Sequence, residues 1–246
     1  MPNYKLTIAY DGTDFCGFQV QPNGPTVQGE LMRAAQDLFG MGVTVTAASR
    51  TDSGVHALGQ VVVLKGEKVV AESKLPLALN MRLPDAIAVV GCLMVEDDWH
   101  PRYQTHRKTY CYKVYNGPYQ YPFDKKNSYH CRRILDLDKM REACAILVGT
   151  HDFESYSSAK KSVEDTVRTI YNLEIIKDGD MLNIVVSGSG FLYNMVRIMV
   201  GTLLEVGYGR RDLDSIRKSL AIRDRSLTGI TAIAKGLTLV RIDYGS

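Results

Sequence analysis

One segment, residues 191–206, constrains the fold more than any other part of the chain. Its sequence, FLYNMVRIMVGTLLEV, predicts a helix that is apolar around most of its circumference. Such a helix is stable in a globular protein only when other elements bury it on nearly all sides. Arg197 is its only charge before Glu205, and a buried guanidinium is costly unless it is paired. The chain must therefore pack around this helix and supply a partner for Arg197.

The remaining pattern predicts a mixture of short strands and helices. Strands are expected at 5–10, 43–48, 60–64, 86–95, 108–115, 167–176, 181–187 and 237–243. Helices are expected between Thr26 and Gly40 and at 73–81, 138–148 and 213–222. Strict alternation of strand and helix is missing, which favours an α+β fold over a doubly wound sheet. We predict two similar α/β lobes, residues 1–104 and 105–246, each with an antiparallel or mixed sheet.

Composition narrows the class of protein. Hydrophobic residues make up 45% and charged residues 23%, as in ordinary globular domains, and the net charge of +3 is compatible with an anionic partner. The amino terminus lacks a signal-peptide pattern. The longest uncharged apolar stretch, residues 86–95, is shorter than the roughly 20 residues that cross a bilayer. The five cysteines contain no CxxC pair, which suits a reducing compartment. We expect a cytoplasmic protein that has no membrane contact.

A short loop between two predicted strands carries the first candidate catalytic group. In ASRTDSGVHALGQVVVL, residues 48–64, Asp52 follows Arg50 by two positions. An aspartate that only shapes its own turn is the structural alternative. Several donors are expected to surround this carboxylate: Arg50, Thr51, Ser53 and His56. Because a partly buried carboxylate keeps its charge when cations or donors surround it, the loop favours a nucleophile or general base at Asp52, with Arg197 as its expected partner.

The segment from Arg102 to Arg133 is rich in tyrosine and basic residues. Half of the chain's 14 tyrosines lie there, namely Tyr103, Tyr110, Tyr112, Tyr115, Tyr119, Tyr121 and Tyr129. Eight lysines and arginines accompany them against one acid, Asp124. Cations suit phosphates and ring faces suit splayed bases, so the segment favours RNA binding. The alternative is that the tyrosines fill a sheet face. The pair Arg210 and Arg211 is expected to add phosphate contacts.

Other catalytic signatures are missing from the sequence. It contains no HExxH or Cys/His pattern, no Walker lysine, no complete dinucleotide-binding glycine motif and no GxSxG. We therefore expect neither a metal nor a nucleotide cofactor.

The chain is similar to the tRNA pseudouridine synthase A family over nearly its whole length. The motifs that carry the similarity are YDGTDFCGFQVQ (10–21), SRTDSGVHALGQ (49–60), LPDAIAV (83–89), WHPR (99–102), RKTYCY (107–112), GTHDFESY (149–156), GSGFLYNMVRIMVGTL (188–203) and AKGLTLVRIDY (234–244). The chain departs from the usual family pattern at Phe18, Ser49 and Ile233. None of these departures removes a reactive group.

The resemblance implies roles for particular residues. Asp52 falls on the family's catalytic aspartate, Tyr110 on the tyrosine that stacks on the target uracil, and Arg197 on the arginine that pairs with the aspartate. Arg50 is expected to help hold the carboxylate ionised and to bind substrate. The resemblance also implies two lobes around a basic cleft, a homodimer without cofactor, and isomerisation of uridine to pseudouridine in the anticodon arm of tRNA, at positions 38, 39 and 40. It leaves open whether Asp52 attacks the ribose C1′, adds to the uracil C6 or abstracts a ribose proton.

Two other functions are considered. A non-catalytic RNA-binding protein or tRNA chaperone of the same fold would not need Asp52, Tyr110 and Arg197 together. A hydrolase of the glycosidic bond would need a second acid beside Asp52, and no motif supplies one. Chemical mapping of pseudouridine in tRNA treated with the protein separates these alternatives.

Overall fold

The computed structural model describes residues 2–66, 68–158 and 165–245. They form two compact units, one comprising Met1–His106 and Thr238–Ser246 and the other Arg107–Leu237. Each unit combines a sheet with helices, so the predicted α+β class is confirmed. None of the helices in the described ranges has the length and apolar character needed to cross a membrane.

The elements follow the order that the sequence pattern predicts, with two short strands added. The strands are β1 (Asn3–Tyr10), β2 (Thr44–Ala47), β3 (His56–Lys65), β4 (Ile87–Val95), β5 (Thr105–Tyr115), β6 (Tyr129–His130), β7 (Gly149–Asp152), β8 (Val167–Asp178), β9 (Met181–Gly188) and β10 (Leu237–Tyr244). The α-helices are α1 (Val27–Phe39), α2 (Leu75–Asn80), α3 (Leu137–Leu147), α4 (Met195–Gly207) and α5 (Leu213–Ile222). Strands β6 and β7 have no counterpart in the sequence prediction, because they are too short to show periodicity.

The first unit has the strand order β4-β1-β3-β10, and β2 also pairs with β3. Its strands are antiparallel except for β3 and β10, which run parallel. Helices α1 and α2 pack against each other, and they contact β2 and β4 respectively. Helix α1 begins where the Thr26 hydroxyl accepts a hydrogen bond from Gly29 N and ends at Gly40, whose φ is 96°. Both signals were predicted, because Thr caps helices and glycine ends them.

The C-terminal strand belongs to the first unit through its contact with β3. Thr238 lies opposite His56 in the parallel register. A Cβ at Gly59 would lie 2.6 Å from the carbonyl oxygen of Val240, so glycine is needed for the two backbones to approach. The sequence reading placed this strand in the lobe 105–246. Chain order alone suggests that placement, since parallel pairing between distant segments leaves no local pattern.

The second unit has the strand order β5-β9-β8-β7, with β6 beside β5. The β8–β9 hairpin turns at Gly179, whose φ is 57°, as its Asp-Gly sequence predicts. Helix α4 is buried along most of its length, which confirms the prediction from its apolar surface. It begins at Met195 rather than at 191, because Asn194 adopts the left-handed conformation with φ 61°. Helices α3, α4 and α5 pack together beside the sheet.

The approach of β10 to Gly59 can be tested by adding one methyl group. Gly59→Ala is expected to lower the free energy of unfolding by about 1–3 kcal/mol, because the new Cβ meets backbone atoms that cannot turn away. Urea denaturation measures the loss.

Gly91→Ala on β4 is the matched control. A Cβ there would lie 3.5 Å from Thr7 Cβ, an ordinary contact. We expect a change of at most about 1 kcal/mol. Equal effects of the two substitutions would contradict the close approach of β10.

Candidate active site

Asp52 lies near the middle of the loop that joins β2 to β3. The loop leaves β2 with Ala48 N bonded to Val61 O at 2.9 Å, and it re-enters β3 after Val55 N bonds Asp52 O at 3.1 Å. Asp52 is partly buried, whereas Thr51 and Val55 on either side are buried. The backbone is therefore fixed on both sides of the carboxylate.

A buried glutamine holds the entrance of this loop. Gln60, on β3, has no exposed surface. Its Nε2 donates to Ser49 O at 2.7 Å, and its Oε1 accepts from Ser49 N at 3.3 Å. The same oxygen accepts from Val61 N at 3.2 Å. The amide thus replaces a strand partner for Ser49, and it fixes the chain three residues before Asp52.

A second loop, residues 11–18, supports the other side. Phe18 N donates to Thr51 O at 3.0 Å. A Cβ at Gly12 would lie 2.0 Å from Val55 O, and one at Gly17 would lie 2.8 Å from Thr51 O. Gly17 also has φ +91°, a conformation that side chains disfavour. These glycines allow the two loops to lie with their backbones in contact.

The hydroxyl groups next to Asp52 support the loop and are not directed at the carboxylate. The Thr51 hydroxyl and Tyr10 OH form a buried hydrogen bond of 2.8 Å. Ser53 Oγ donates to Phe15 O at 3.1 Å. The prediction that donors converge on Asp52 is therefore wrong for Thr51 and Ser53. They tie its loop to β1 and to residues 11–18.

His56 joins the same support. Gly12 N donates to its Nδ1 at 3.0 Å. Asp11 Oδ1 lies 3.1 Å from the same nitrogen. That oxygen already accepts from Thr13 N at 3.0 Å and from Thr13 Oγ1 at 2.5 Å. The His56 ring thus joins β3 to the Gly12 backbone and to the Asp11 side chain.

Arg50 differs from these loop-supporting residues in its exposure and in its contacts. Its side chain is exposed, and within the described ranges it forms no hydrogen bond or ion pair. An exposed guanidinium beside a partly buried carboxylate is placed to meet an anionic ligand. The structure does not test its predicted role in substrate binding.

Tyr110 lies on β5 in the second unit, opposite Val186 of β9. Its ring is 6% exposed and contacts Phe191 edge-on, with ring centroids 5.2 Å apart. Tyr112 occupies the same face, has no exposed surface, and donates to Ile233 O at 3.0 Å. The shared face was predicted from the strand period. The predicted stacking of Tyr110 on a uracil stays a prediction.

Arg197 is held in the first turn of α4. Its Nε donates to Ala232 O at 2.7 Å, and its Nη1 donates to Asn194 Oδ1 at 2.8 Å. Tyr112 OH donates to the carbonyl of Ile233, the residue after Ala232, so the two side chains bond consecutive carbonyl groups. Burial raises the pKa of the Tyr112 hydroxyl, and the positive charge of Arg197 opposes that rise. Tyr112 and Arg197 therefore place the face of β5 and the start of α4 at one location in the second unit.

The other basic and aromatic candidates divide between core and surface. Arg211 is paired with Glu205, its Nη2 lying 2.9 Å from Glu205 Oε2, and its side chain is only 17% exposed. The prediction that it contacts phosphate is therefore wrong. Arg210 is exposed, and its guanidinium lies 5.3 Å from the Tyr208 ring centre.

Among the clustered tyrosines, the buried ones are Tyr110, Tyr112 and Tyr115, and the exposed ones are Tyr103, Tyr119 and Tyr121.

Comparison with known proteins gives one consistent result. A family model described as tRNA pseudouridine synthase matches residues 6–104 and 143–245. The chain belongs to the tRNA pseudouridine synthase family. The tRNA pseudouridine synthase A of Halalkalibacterium halodurans is 45% identical over 238 residues, covering 96% of this chain and 90% of that protein. Those of Thermoanaerobacter sp. strain X514 and Shouchella clausii are 43% identical over 244 residues and 45% over 246 residues. The Thermoanaerobacter match covers 99% of this chain and 100% of that protein. The Shouchella clausii match covers 100% of this chain and 94% of that protein.

Membership in the tRNA pseudouridine synthase family makes the chain an isomerase and makes tRNA the implied substrate. The family's reaction moves the uracil from an N–C to a C–C glycosidic bond. A carboxylate on a fixed loop is a suitable group for it, because the reaction needs a nucleophile or base near the sugar. Within the described ranges, no three His, Cys, Asp or Glu side chains are grouped as around a metal ion.

Sequence reasoning missed the residues that support the loop of this synthase. Gln60, Tyr10, Gly12 and Gly17 all lie in motifs that resemble the family, yet no role was predicted for them. The signal was Gly12 and Gly17 in the connection between β1 and α1, since such glycines often mark close backbone contacts. For Gln60 the signal was a polar residue within the apolar strand β3.

Removing the Gln60 amide should affect both stability and turnover. Gln60→Leu removes the hydrogen bonds that the amide makes to Ser49 N and Ser49 O in a buried position, so we expect a loss of about 2–4 kcal/mol in unfolding free energy. We also expect a lower kcat, because Asp52 loses the fixed start of its loop. Thermal denaturation and single-turnover assays measure the two effects. Gln104→Leu makes the same change at an exposed residue and should leave both near wild type.

Proposed function

We propose that this synthase converts uridine to pseudouridine in the anticodon stem-loop of tRNA, at positions 38, 39 and 40, with Asp52 as the catalytic residue. The observation that carries the proposal is the support of the Asp52 loop from two sides. Gln60 fixes Ser49 before the carboxylate, and residues 11–18 fix Thr51 and Val55 around it. Structure that orients one partly buried acid so fully is what a positioned catalytic group requires.

The isomerisation of uridine to pseudouridine requires one carboxylate and no external reagent. The N1–C1′ bond breaks, the uracil rotates, C5 bonds to C1′, the C5 proton is lost, and N1 gains a proton. Atoms and electrons balance without an oxidant or a reductant. Asp52 can begin the sequence by attacking C1′, by adding to C6 or by abstracting a ribose proton, and all three use an ionised carboxylate.

The second unit supplies the groups proposed to bind the nucleotide. A target base must leave its stack to reach an enzyme group. We propose that the Tyr110 ring stacks on the detached uracil, and that Arg50 and Arg197 stabilise the charge of Asp52 and fill the space that the base leaves. Arg197 is suited to this because Ala232 O and Asn194 Oδ1 already fix its guanidinium.

Substitution of Asp52 tests the central proposal. Asp52→Asn and Asp52→Ala should abolish pseudouridine formation, while tRNA affinity stays within about tenfold, or roughly 1.4 kcal/mol. The reason is that the acid acts in the transition state, whereas basic residues supply most of the binding. Chemical mapping of pseudouridine and a filter-binding assay give the two quantities.

Asp14→Asn is the matched control, because Asp14 is an exposed acid in the supporting loop. It should retain nearly full activity. Turnover by Asp52→Asn, once deamidation is excluded by mass spectrometry, would disprove the assignment.

Arg197 provides a second test. Arg197→Lys should lose most of the activity, because an ammonium cannot reproduce the planar fork that bonds Ala232 O and Asn194 Oδ1 together. Arg217→Lys is the matched control, since it makes the same change at an exposed arginine of α5. It should cost far less activity. In a structure of the tRNA complex, a distance above about 6 Å between Arg197 and Asp52 would argue against their pairing.

The remaining expectations are also proposals. We infer from the family resemblance a homodimer that works in the cytoplasm without a metal or cofactor. Sedimentation equilibrium of the purified chain, activity after dialysis against a chelator, and cell fractionation test the three points.

A further inference from the structure

The segment 118–126, with the sequence PYQYPFDKK, presents an unusual surface. We call it the aromatic loop; it connects β5 to β6. Tyr119 is 84% exposed, Tyr121 is 66% exposed and Phe123 is 94% exposed. Isolated apolar side chains on a surface need no explanation, but a cluster of large exposed rings marks an interaction site.

The aromatic loop is held in shape by its own hydrogen bonds. Gln120 Nε2 donates to Ser128 Oγ at 2.8 Å, and Ser128 Oγ donates to Asp124 O at 2.6 Å. Asp124 N donates to Tyr121 O at 3.1 Å within a short 3-10 turn. The Tyr121 ring packs edge-on against the buried Tyr115, with centroids 5.9 Å apart. The rings of Tyr119 and Phe123 therefore project from an ordered turn.

The rest of the second unit also anchors the loop. Lys235 Nζ donates to Lys125 O at 2.9 Å, across a sequence separation of 110 residues. His130 Nε2 contacts Gly117 O at 2.8 Å at the start of the loop. Pro118 and Pro122 further restrict the backbone. A ligand that bound the exposed rings would not have to bear the entropy of ordering this loop.

The charge around the aromatic loop favours an anionic ligand. Lys125 and Lys126 are exposed and follow the rings directly, and Arg132 and Arg133 are exposed after β6. The acids nearby are Asp124, which is partly buried, and Asp180, whose carboxylate accepts from Tyr115 OH at 3.4 Å. Cations therefore outnumber acids.

We propose that the aromatic loop is a second RNA-binding element, in which Tyr119 and Phe123 stack on unpaired bases and Lys125 and Lys126 contact the flanking phosphates. Ring faces for bases combined with cations for the backbone are how proteins bind single-stranded RNA. The family model matches 6–104 and 143–245, so the loop lies between its matched regions. The inference rests on the proposed function only in taking RNA as the ligand.

Substitutions at Phe123 distinguish stacking from general apolar contact. Phe123→Ala and Phe123→Leu should each weaken binding of a fluorescent anticodon-arm hairpin about tenfold, the effect of one lost stack. Phe123→Tyr should bind within about twofold of the wild type, because it keeps the ring face. Fluorescence anisotropy with the full chain measures the affinity, and thermal denaturation verifies folding. Ile222→Ala, at another exposed apolar side chain of 63% exposure, should change nothing.

Three results would overturn the proposal. The first is wild-type RNA affinity in Phe123→Ala. The second is wild-type affinity in Phe123→Leu, since base stacking cannot use a leucine. The third is a change of oligomeric state without a change of affinity. If the wild type is a dimer, Phe123→Ala is a monomer and both bind RNA equally well per chain, the loop is a contact between two copies.

Activity assays separate this inference from the proposed function. We expect Phe123→Ala to raise KM for tRNA about tenfold with a smaller effect on kcat. If Phe123→Ala forms pseudouridine with an unchanged KM, the aromatic loop is refuted as a binding element and the proposed function remains intact. If the wild type forms no pseudouridine but its RNA binding is weakened by Phe123→Ala, the proposed function is refuted and the aromatic loop remains a binding element.

Discussion

The contact between two backbones at Gly12 and Gly17 determines the shape of the loop that carries Asp52. At Gly12 a Cβ would lie 2.0 Å from Val55 O, so any other residue would force the loops apart. Because the loops touch, Phe18 N reaches Thr51 O and Gly12 N reaches His56 Nδ1. The position of the carboxylate thus depends on the connection between β1 and α1. Preorganisation of this kind lets a catalytic group act without reordering its surroundings.

Elements with strong local signals could be predicted from the sequence. The predicted bounds of α5 agree with the structure because Asp212 caps the helix, with its side chain accepting from Ser215 N. The pairing of β10 with β3 could not be predicted, since it depends on the close approach at Gly59 and not on a local period. The start of α4 was also misplaced. Apolar periodicity continues back to Phe191, but Asn194 is left-handed and α4 begins only after it, at Met195.

The site shows the same division between local and non-local information. Asp52 was predicted as the catalytic candidate because an arginine and an aspartate on a short loop exceed what a turn needs. Arg210 and Arg211 could not be distinguished, because they are adjacent and chemically identical. Only the fold directs Arg211 inward to Glu205 and leaves Arg210 at the surface. The tyrosines between Arg102 and Arg133 likewise include buried and exposed side chains that composition alone cannot distinguish. Within β5 the strand period turns Tyr110 and Tyr112 into the core, and beyond Tyr115 that constraint ends.

One short stretch links Tyr110 and Arg197 within the second unit. Phe191 contacts the Tyr110 ring. Three residues later Asn194, at the N-cap position of α4, accepts a hydrogen bond from Arg197 Nη1. Asn194 Nδ2 also donates to Ser158 Oγ at 2.6 Å, which fixes the cap itself. Residues 191–194 lie before α4, and the left-handed Asn194 directs the chain from Phe191 into the helix. The positions of Tyr110 and Arg197 are therefore not independent. A change that straightened this turn would displace the Phe191 ring and the Arg197 guanidinium together, and with them the edge-on contact to Tyr110 and the hydrogen bond to Asn194 Oδ1.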